Sequence, residues 1–317
     1  MRRFWIVFSI VLGILTVLTV IGVIGWGIFG DWSDIRPSGS DSMVLKLDFS
    51  RGVPEVHSND PFARFTSRGM LTLLEVDRAL THAADDPRVR GLVLDLTSVQ
   101  MGSAQMEEIR DGILRFRQSG KWAIAYADTF FTGGTGTGLY YLASACDEIY
   151  MHRAGDVGFM GMAIQPLFFA EALEKLGVQP VMGQRYEYKT MINMWTETDY
   201  TEPQREIEQR LLNGLLAHIV DGVADARGIP ADRLRALIDS APFIGREALD
   251  AGLVDGFRYW DEVKTRIEER VGEVPDMVRL HQYYQDSVPD LRQSRENIIA
   301  VVYGVGEVVR GEAVAGL

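Results

Sequence analysis

The longest apolar run comes first: residues 4–29 carry no charge, and only Ser9, Thr16 and Thr19 are polar apart from glycine and tryptophan. A helix of that length crosses a hydrocarbon core of about 30 Å. Arg2 and Arg3 precede the run and Asp31 follows it, so the positive-inside rule places the N-terminus in the cytoplasm and the remainder outside. Trp5 and Trp26 sit near its two ends, where amphipathic rings favour the interface. A cleaved signal peptide fits less well: the run exceeds the usual ~7–15 apolar residues and no A-x-A site follows. Residues 31–42, rich in Ser, Gly and Pro without periodicity, read as a linker.

Beyond the linker the pattern alternates between two periods. MVLKLDF at 43–49 alternates as a strand does. Residues 51–68 form a polar, irregular excursion. A helix follows at 70–84, and GLVLDL at 91–96 has the continuous apolar character of a buried parallel strand. The helix expected at 106–118 puts Ile109, Ile113 and Phe116 on one face and closes at Gly120. A strand at 122–128, a glycine-rich turn FTGGTGTG, a helix through LYYLASAC and a short strand at 147–151 complete a β-α-β-α-β-α-β order. Crossovers of that kind force a parallel sheet with helices on its faces. A helix is expected at 167–177 and a strand at 178–183. The helix at 202–226 has a wide apolar stripe through Ile207, Leu211, Leu215 and Ile219. Further helices are expected at 231–238, 246–251 and 261–270, the last charged and exposed. Residues 273–297 read as a connecting segment. The apolar NIIAVVYG from Asn297 repeats the character of the entry strand, as though residues 298–317 began a second copy.

Composition narrows the chemistry. The chain holds 44 acidic and 32 basic residues, a net charge of −12, which argues against nucleic acid as a partner. A single cysteine, Cys146, excludes an intrachain disulfide and is expected to be buried. Five scattered histidines give no metal-ligand spacing, and no cofactor motif is present. FTGGTGTG lacks the lysine and hydroxyl of a phosphate loop and reads as a tight strand-to-helix turn. Lysine is scarce: Lys46, Lys121, Lys175, Lys189 and Lys264 stand against 27 arginines. Lys121 and Lys175 read as surface residues at element ends. Lys189 lies among Tyr186, Tyr188, Met191, Met194 and Trp195. If those side chains also enclose it in space, desolvation lowers its pKa and suits it as a general base. On residues alone, a lysine snorkelling to solvent is the competing reading.

A resemblance shifts that balance. From Gly91 to Glu269 the chain resembles the signal peptide peptidase A family (peptidase family S49), of the ClpP/crotonase superfamily. The matching stretches are DPRVRGLVLDL, Ser119-Gly120-Lys121, TGLYYLASACDEIYM, LEKLGVQPVMGQRYEYKT and EALDAGLVDGF. The resemblance implies a ClpP/crotonase-like α/β fold with a parallel sheet and flanking helices, at 43–272, after a transmembrane anchor at 1–30. It implies a Ser/Lys dyad in which Lys189, in Y-K-[ST], is the base. The family's nucleophile stands in S-G-G-Y, matched here by Thr137-Gly138-Leu139-Tyr140, so threonine occupies the serine's position and this chain supplies no nucleophile. That fits the first repeat of the long tandem type, whose second repeat supplies the serine. The family's oxyanion turn is matched by Ser98 to Gly102 without its Pro and paired Gly, so Gly102 is given no role. The implied protein is a homo-oligomeric, inner-membrane peptidase that faces the periplasm and degrades signal peptides without metal or cofactor. The alternative is an inactive scaffold of the same fold. A crotonase-type acyl-CoA enzyme is disfavoured by an exported topology.

Overall fold

The computed structural model describes residues 13, 16, 41–58, 67, 69–131, 136–289 and 301–304. The expected anchor and most of the linker lie outside these residues, although Gly13 and Thr16 are helical. Among the described residues no helix is long and apolar enough to cross a membrane. Most of the expected second repeat also lies outside them, and residues 301–304 form no strand.

Six strands build one parallel sheet in the order β7-β4-β3-β2-β1-β8. They are β1 (Met43–Asp48), β2 (Val89–Asp95), β3 (Trp122–Ala127), β4 (Glu148–Met151), β7 (Gly256–Phe257) and β8 (Asp276–Arg279). β5 (Asp156–Val157) and β6 (Phe243–Ile244) pair separately and antiparallel. The helices α1 (Leu73–Asp85), α2 (Ser103–Gln118) and α3 (Thr137–Ala143) return the chain between successive strands β1 to β4. The expected alternation of strand and helix is therefore present.

The period-2 pattern of the strands divides the core between two faces. Leu45, Leu47, Leu92, Leu94, Ala123, Ala125 and Ile149 point into a large cluster with α1, α2 and α3. Val44, Val93, Ile124, Tyr126 and Tyr150 point the other way, onto Val263 and Ile267. Those two residues belong to α9 (Trp260–Val271), the helix expected to be exposed. Its charged face also reaches the sheet, because Arg266 and Arg270 both pair with Glu148 of β4. At Gly91 a side chain is not possible, since a Cβ would lie 2.4 Å from the Trp122 ring on the neighbouring strand.

Local signals set the helix ends. Thr72 caps α1: its hydroxyl accepts from the Glu75 amide, and the Glu75 carboxylate accepts from the Thr72 amide. At the other end Lys121 is not a surface residue as the sequence suggested. Its ammonium donates to the carbonyls of Ala83 and Asp86, each at 2.6 Å, closing the last turn of α1. Burial pushes its pKa down.

Two expectations along the chain are corrected. Residues 178–183 form no strand; Val178 and Val181 are exposed and have no strand to pair with. The segment expected to connect two repeats instead completes the sheet. β8 pairs with β1, and α10 (Leu280–Ser287) packs on α1. Val278 and Tyr283 are fully buried. The Tyr283 hydroxyl donates to Asp86 Oδ2 at 3.0 Å and lies 2.7 Å from His82 Nδ1.

Asp86 sits at the centre of this junction. The Arg88 guanidinium grips its carboxylate with bonds of 3.0 and 2.7 Å and, against the cost of burial, holds its pKa down to about 2. A folded-state pKa below the unfolded value means stability that is present above about pH 4 and lost as pH falls toward about 2. Asp86→Asn is expected to flatten the stability profile in that window, as read by urea unfolding at stepped pH. An unchanged acid limb would show that other carboxylates set it.

Candidate active site

The position matched to the family's nucleophile lies beyond the carboxyl end of β3, at the start of α3. Parallel sheets open to ligands at such ends. Gly136 caps the helix with φ +72°, and a Cβ there would fall 1.9 Å from the Phe130 carbonyl oxygen. Only glycine fits, so the turn residue next to Thr137 is fixed by backbone contact. Of the glycine-rich turn itself, residues 132–135 lie outside the described residues. α3 is anchored from below by Tyr140, fully buried among Phe130 and Phe159, whose hydroxyl donates to the Leu253 carbonyl at 2.8 Å.

Thr137 itself is buried, and its hydroxyl is engaged in both senses by one residue. Oγ1 donates to the Met160 carbonyl at 2.6 Å and accepts from the Met160 amide at 3.0 Å. This arrangement ties the head of α3 to the strand-like segment after β5. It leaves the oxygen poorly placed to attack a substrate, since its donor bond points into the protein. Thr137→Val is expected to cost about 1–3 kcal/mol, because two part-buried backbone groups of Met160 lose their partner. Thr137→Ser keeps both bonds and should stay within about 1 kcal/mol of the parent. Thermal or urea melts of the two variants read the difference directly; equal stability of Thr137→Val would show that the pairing is dispensable.

Lys189 lies elsewhere, on an arm between α4 (Ala170–Lys175) and α6 (Glu202–Arg227). It precedes a 3₁₀ turn (Thr190–Ile192) and a single helical turn, α5 (Asn193–Thr196). Its side chain is exposed, and among the described residues its ammonium makes no hydrogen bond or ion pair. The arm behind it is held firmly. Asn193, 2% exposed, donates to Thr201 Oγ1 at 3.1 Å and to Gln204 Oε1 at 2.9 Å. The Tyr188 hydroxyl donates to Glu206 at 2.7 Å, and Phe169 stacks on Trp195. Tyr186 takes φ +63°, a costly conformation for a bulky residue, and its carbonyl accepts from the Lys189 amide.

The side chains expected to enclose Lys189 do not do so within this chain. Tyr186 is 75% exposed and Met191 87% exposed. Val181 and Leu176 are also exposed, as are Ile207 and Leu211 at the near end of α6. The apolar stripe of α6 is thus buried only in its second half, at Ile219, Val220 and Val223. Lys189 and Thr137 are not joined by any hydrogen bond among the described residues.

In the turn at Ser98 to Gly102, the Gly102 amide donates to Gln105 Oε1 at 3.0 Å. Gln105 in turn donates to the Val53 carbonyl at 2.8 Å. Among the described residues no group of His, Cys, Asp or Glu could hold a metal ion. Cys146 is buried, and burial pushes its thiol pKa up, away from reactivity. The Asn193–Gln204 clasp was not visible in the sequence, where an Asn and a Gln eleven apart carry no signal. The same holds for the pair in which Arg227 grips Asp255 at 3.0 Å and fixes the far end of α6.

Residues 115–273 match the description of peptidase family S49. A serine protease SPPA, chloroplastic, of Arabidopsis thaliana is 30% identical over 76% of this chain and 33% of its own length. A Protease 4 of Haemophilus influenzae is 33% identical over 52% of this chain and 26% of its own. The chain spans about a quarter to a third of the length of these relatives. Among solved structures, an enoyl-CoA hydratase/isomerase family protein from Silicibacter pomeroyi aligns with 15% identity and a TM-score of 0.37, covering 75% of this chain and 81% of that one.

Proposed function

From the premise that this chain belongs to peptidase family S49, we propose that it is the lysine-bearing part of a membrane-anchored Ser/Lys peptidase. Its substrates are apolar peptides, cleaved signal peptides among them. Lys189 takes the proton from a serine carried by another domain of the ClpP/crotonase type, and the acyl-enzyme is then hydrolysed.

The observation that carries this reading is an unfinished site. A firmly held arm presents a lysine that is unpartnered among the described residues within an apolar surface, while the hydroxyl at the nucleophile's position is tied to Met160. A lysine must be neutral to act as a base, and neutrality requires desolvation. Exposed Tyr186, Met191 and Val181 are the kind of surface that a second domain would cover, and covering them would dry Lys189. The same surface suits a homo-oligomer with its sites turned inward. The uncharged run at 4–29, with two arginines before it, supports single-pass anchoring in the inner membrane with the domain in the periplasm. No metal or cofactor is needed for this chemistry.

The test compares the 317-residue chain with the full gene product. The chain alone is expected to hydrolyse no apolar peptide and to take no label from a serine-directed phosphonate. The full product is expected to do both, with the label on a serine outside residues 1–317. Label on Thr137 would overturn the assignment of the nucleophile. Inactivity of both would favour the scaffold reading.

A further inference from the structure

The arm that carries Lys189 inverts the usual burial pattern. Between residues 161 and 218 only Asn193 and Gln204 are buried, and both are polar amides. A satisfied buried polar network rigidifies its surroundings and specifies one arrangement. The bonds here also run in a set direction. A carboxylate only accepts. Glu208 Oε1 accepts from Gln204 Nε2 at 3.0 Å, which turns Gln204 Oε1 toward Asn193. Asn193 Nδ2 donates to that oxygen at 2.9 Å, and at 3.1 Å to Oγ1 of Thr201, the residue that precedes α6. Glu208, one turn along α6 from Gln204, thereby sets the orientation of both amides. Its Oε2 is enclosed and has no hydrogen-bond partner among the described residues. A half-buried charge held in this way is a poor source of stability, so the network is better explained by the geometry it imposes.

We propose that Asn193, oriented by Gln204 and Glu208, is the positioning residue of the general base and fixes the turn from which Lys189 reaches its serine. This rests on the reading of Lys189 as the base. Lys189 stands at the start of the 3₁₀ turn, which runs without a break into α5, and Asn193 is the first residue of α5. The Asn193 amide donates to the Thr190 carbonyl, and the Glu197 amide donates to the Asn193 carbonyl at 2.9 Å. The backbone beside the base is thus tied at Asn193 to the first turn of α6. From there α6 runs to the core, where Ile219, Val220 and Val223 are buried. Proton abstraction needs the two atoms within hydrogen-bond reach, and a misplacement of about 1 Å costs roughly a hundredfold in rate.

Steady-state hydrolysis of an apolar peptide by the full-length enzyme tests the proposal. Asn193→Ala and Glu208→Gln are each expected to lower kcat by roughly 10- to 100-fold while KM moves less than about threefold. Glu208→Gln keeps the shape of the side chain but can donate as well as accept, so Gln204 loses its fixed orientation. That variant decides if Asn193→Ala fails to fold. The second readout is coupling. Lys189→Ala combined with Asn193→Ala should be no slower than Lys189→Ala alone, because no base is left to position. Gln209→Ala, next to Glu208 but on the exposed side of α6, should stay within a few-fold of the parent. Parent kcat in Glu208→Gln, a rise in KM at unchanged kcat, additive losses in the double variant, or an equal loss in Gln209→Ala would each overturn the assignment. Full turnover by Lys189→Ala is a separate result: it would overturn the reading of the base, and the positioning role would fall with it.

Discussion

Lys189→Arg in the full-length enzyme is expected to stop peptide turnover while leaving the melting temperature where it was. A guanidinium cannot be deprotonated in a protein, so it cannot replace a lysine base however well it is placed. General-base catalysis is typically worth roughly a hundred- to ten-thousand-fold, and Lys189→Ala should lose as much. Stability should hold because the side chain is exposed and its ammonium has no partner among the described residues. The arm is held instead by Asn193, Gln204 and Tyr188, which these substitutions do not touch. Lys175→Ala, on exposed α4, should leave turnover within a few-fold. Lys121→Ala should behave differently from both. It should lower the melting temperature, because two carbonyls at the end of α1 lose their donor. Turnover by a well-folded Lys189→Arg enzyme would mean that the lysine holds substrate by charge and that the base lies elsewhere.

Tyr283→Ala is expected to cost about 3–5 kcal/mol, the range for removing a fully buried aromatic ring. The ring fills the space between α10 and α1, and its hydroxyl completes the Asp86 and His82 junction. Tyr283→Phe keeps the ring and removes one hydrogen bond each from Asp86 and His82, so about 1–3 kcal/mol is expected. Urea unfolding of both variants reads the two contributions separately. If Tyr283→Ala unfolded like the parent, residues 276–287 would be an appendage, as their polar composition suggests.

These outcomes bear on what the sequence made legible. The central strands were readable because both faces of a parallel sheet are buried, which writes GLVLDL and WAIAYA as nearly unbroken apolar runs. α2 was readable because Ile109, Ile113 and Phe116 repeat at helical spacing. β8 was not readable. An edge strand of four residues is short, and in DMVR only Val278 is fully buried while Met277 packs half-buried on the other face. The reverse error occurred at 178–183, where Val178, Val181 and Met182 resemble a strand but have no neighbour to pair with. A strand is a property of two segments, and one segment does not reveal whether its partner exists.

The site divides along the same line. Identity of the residues came from a motif, Y-K-[ST] for Lys189 and the S-G-G-Y match at Thr137-Gly138-Leu139-Tyr140 for Thr137. Their surroundings did not. Tyr186, Tyr188 and Met191 adjoin Lys189 along the chain, yet on an extended arm neighbours point in different directions and most remain in solvent. Neither the Met160 partner of Thr137 nor the Gln204 partner of Asn193 carries a local pattern, because each bond joins segments that only the fold brings together.

The position of β1 between β2 and β8 has a consequence for the order of synthesis. Of the six strands described in this sheet, β1 is the first to leave the ribosome and β8 the last, and the Asp276 amide donates to the Ser42 carbonyl where the two begin. One side of β1 therefore stays without its partner until residue 279 has emerged. Pairing of such distant segments is slow, and an open strand edge invites pairing with other chains in the meantime. The vulnerable interval lasts through nearly the whole domain. It closes only when Tyr283 reaches Asp86.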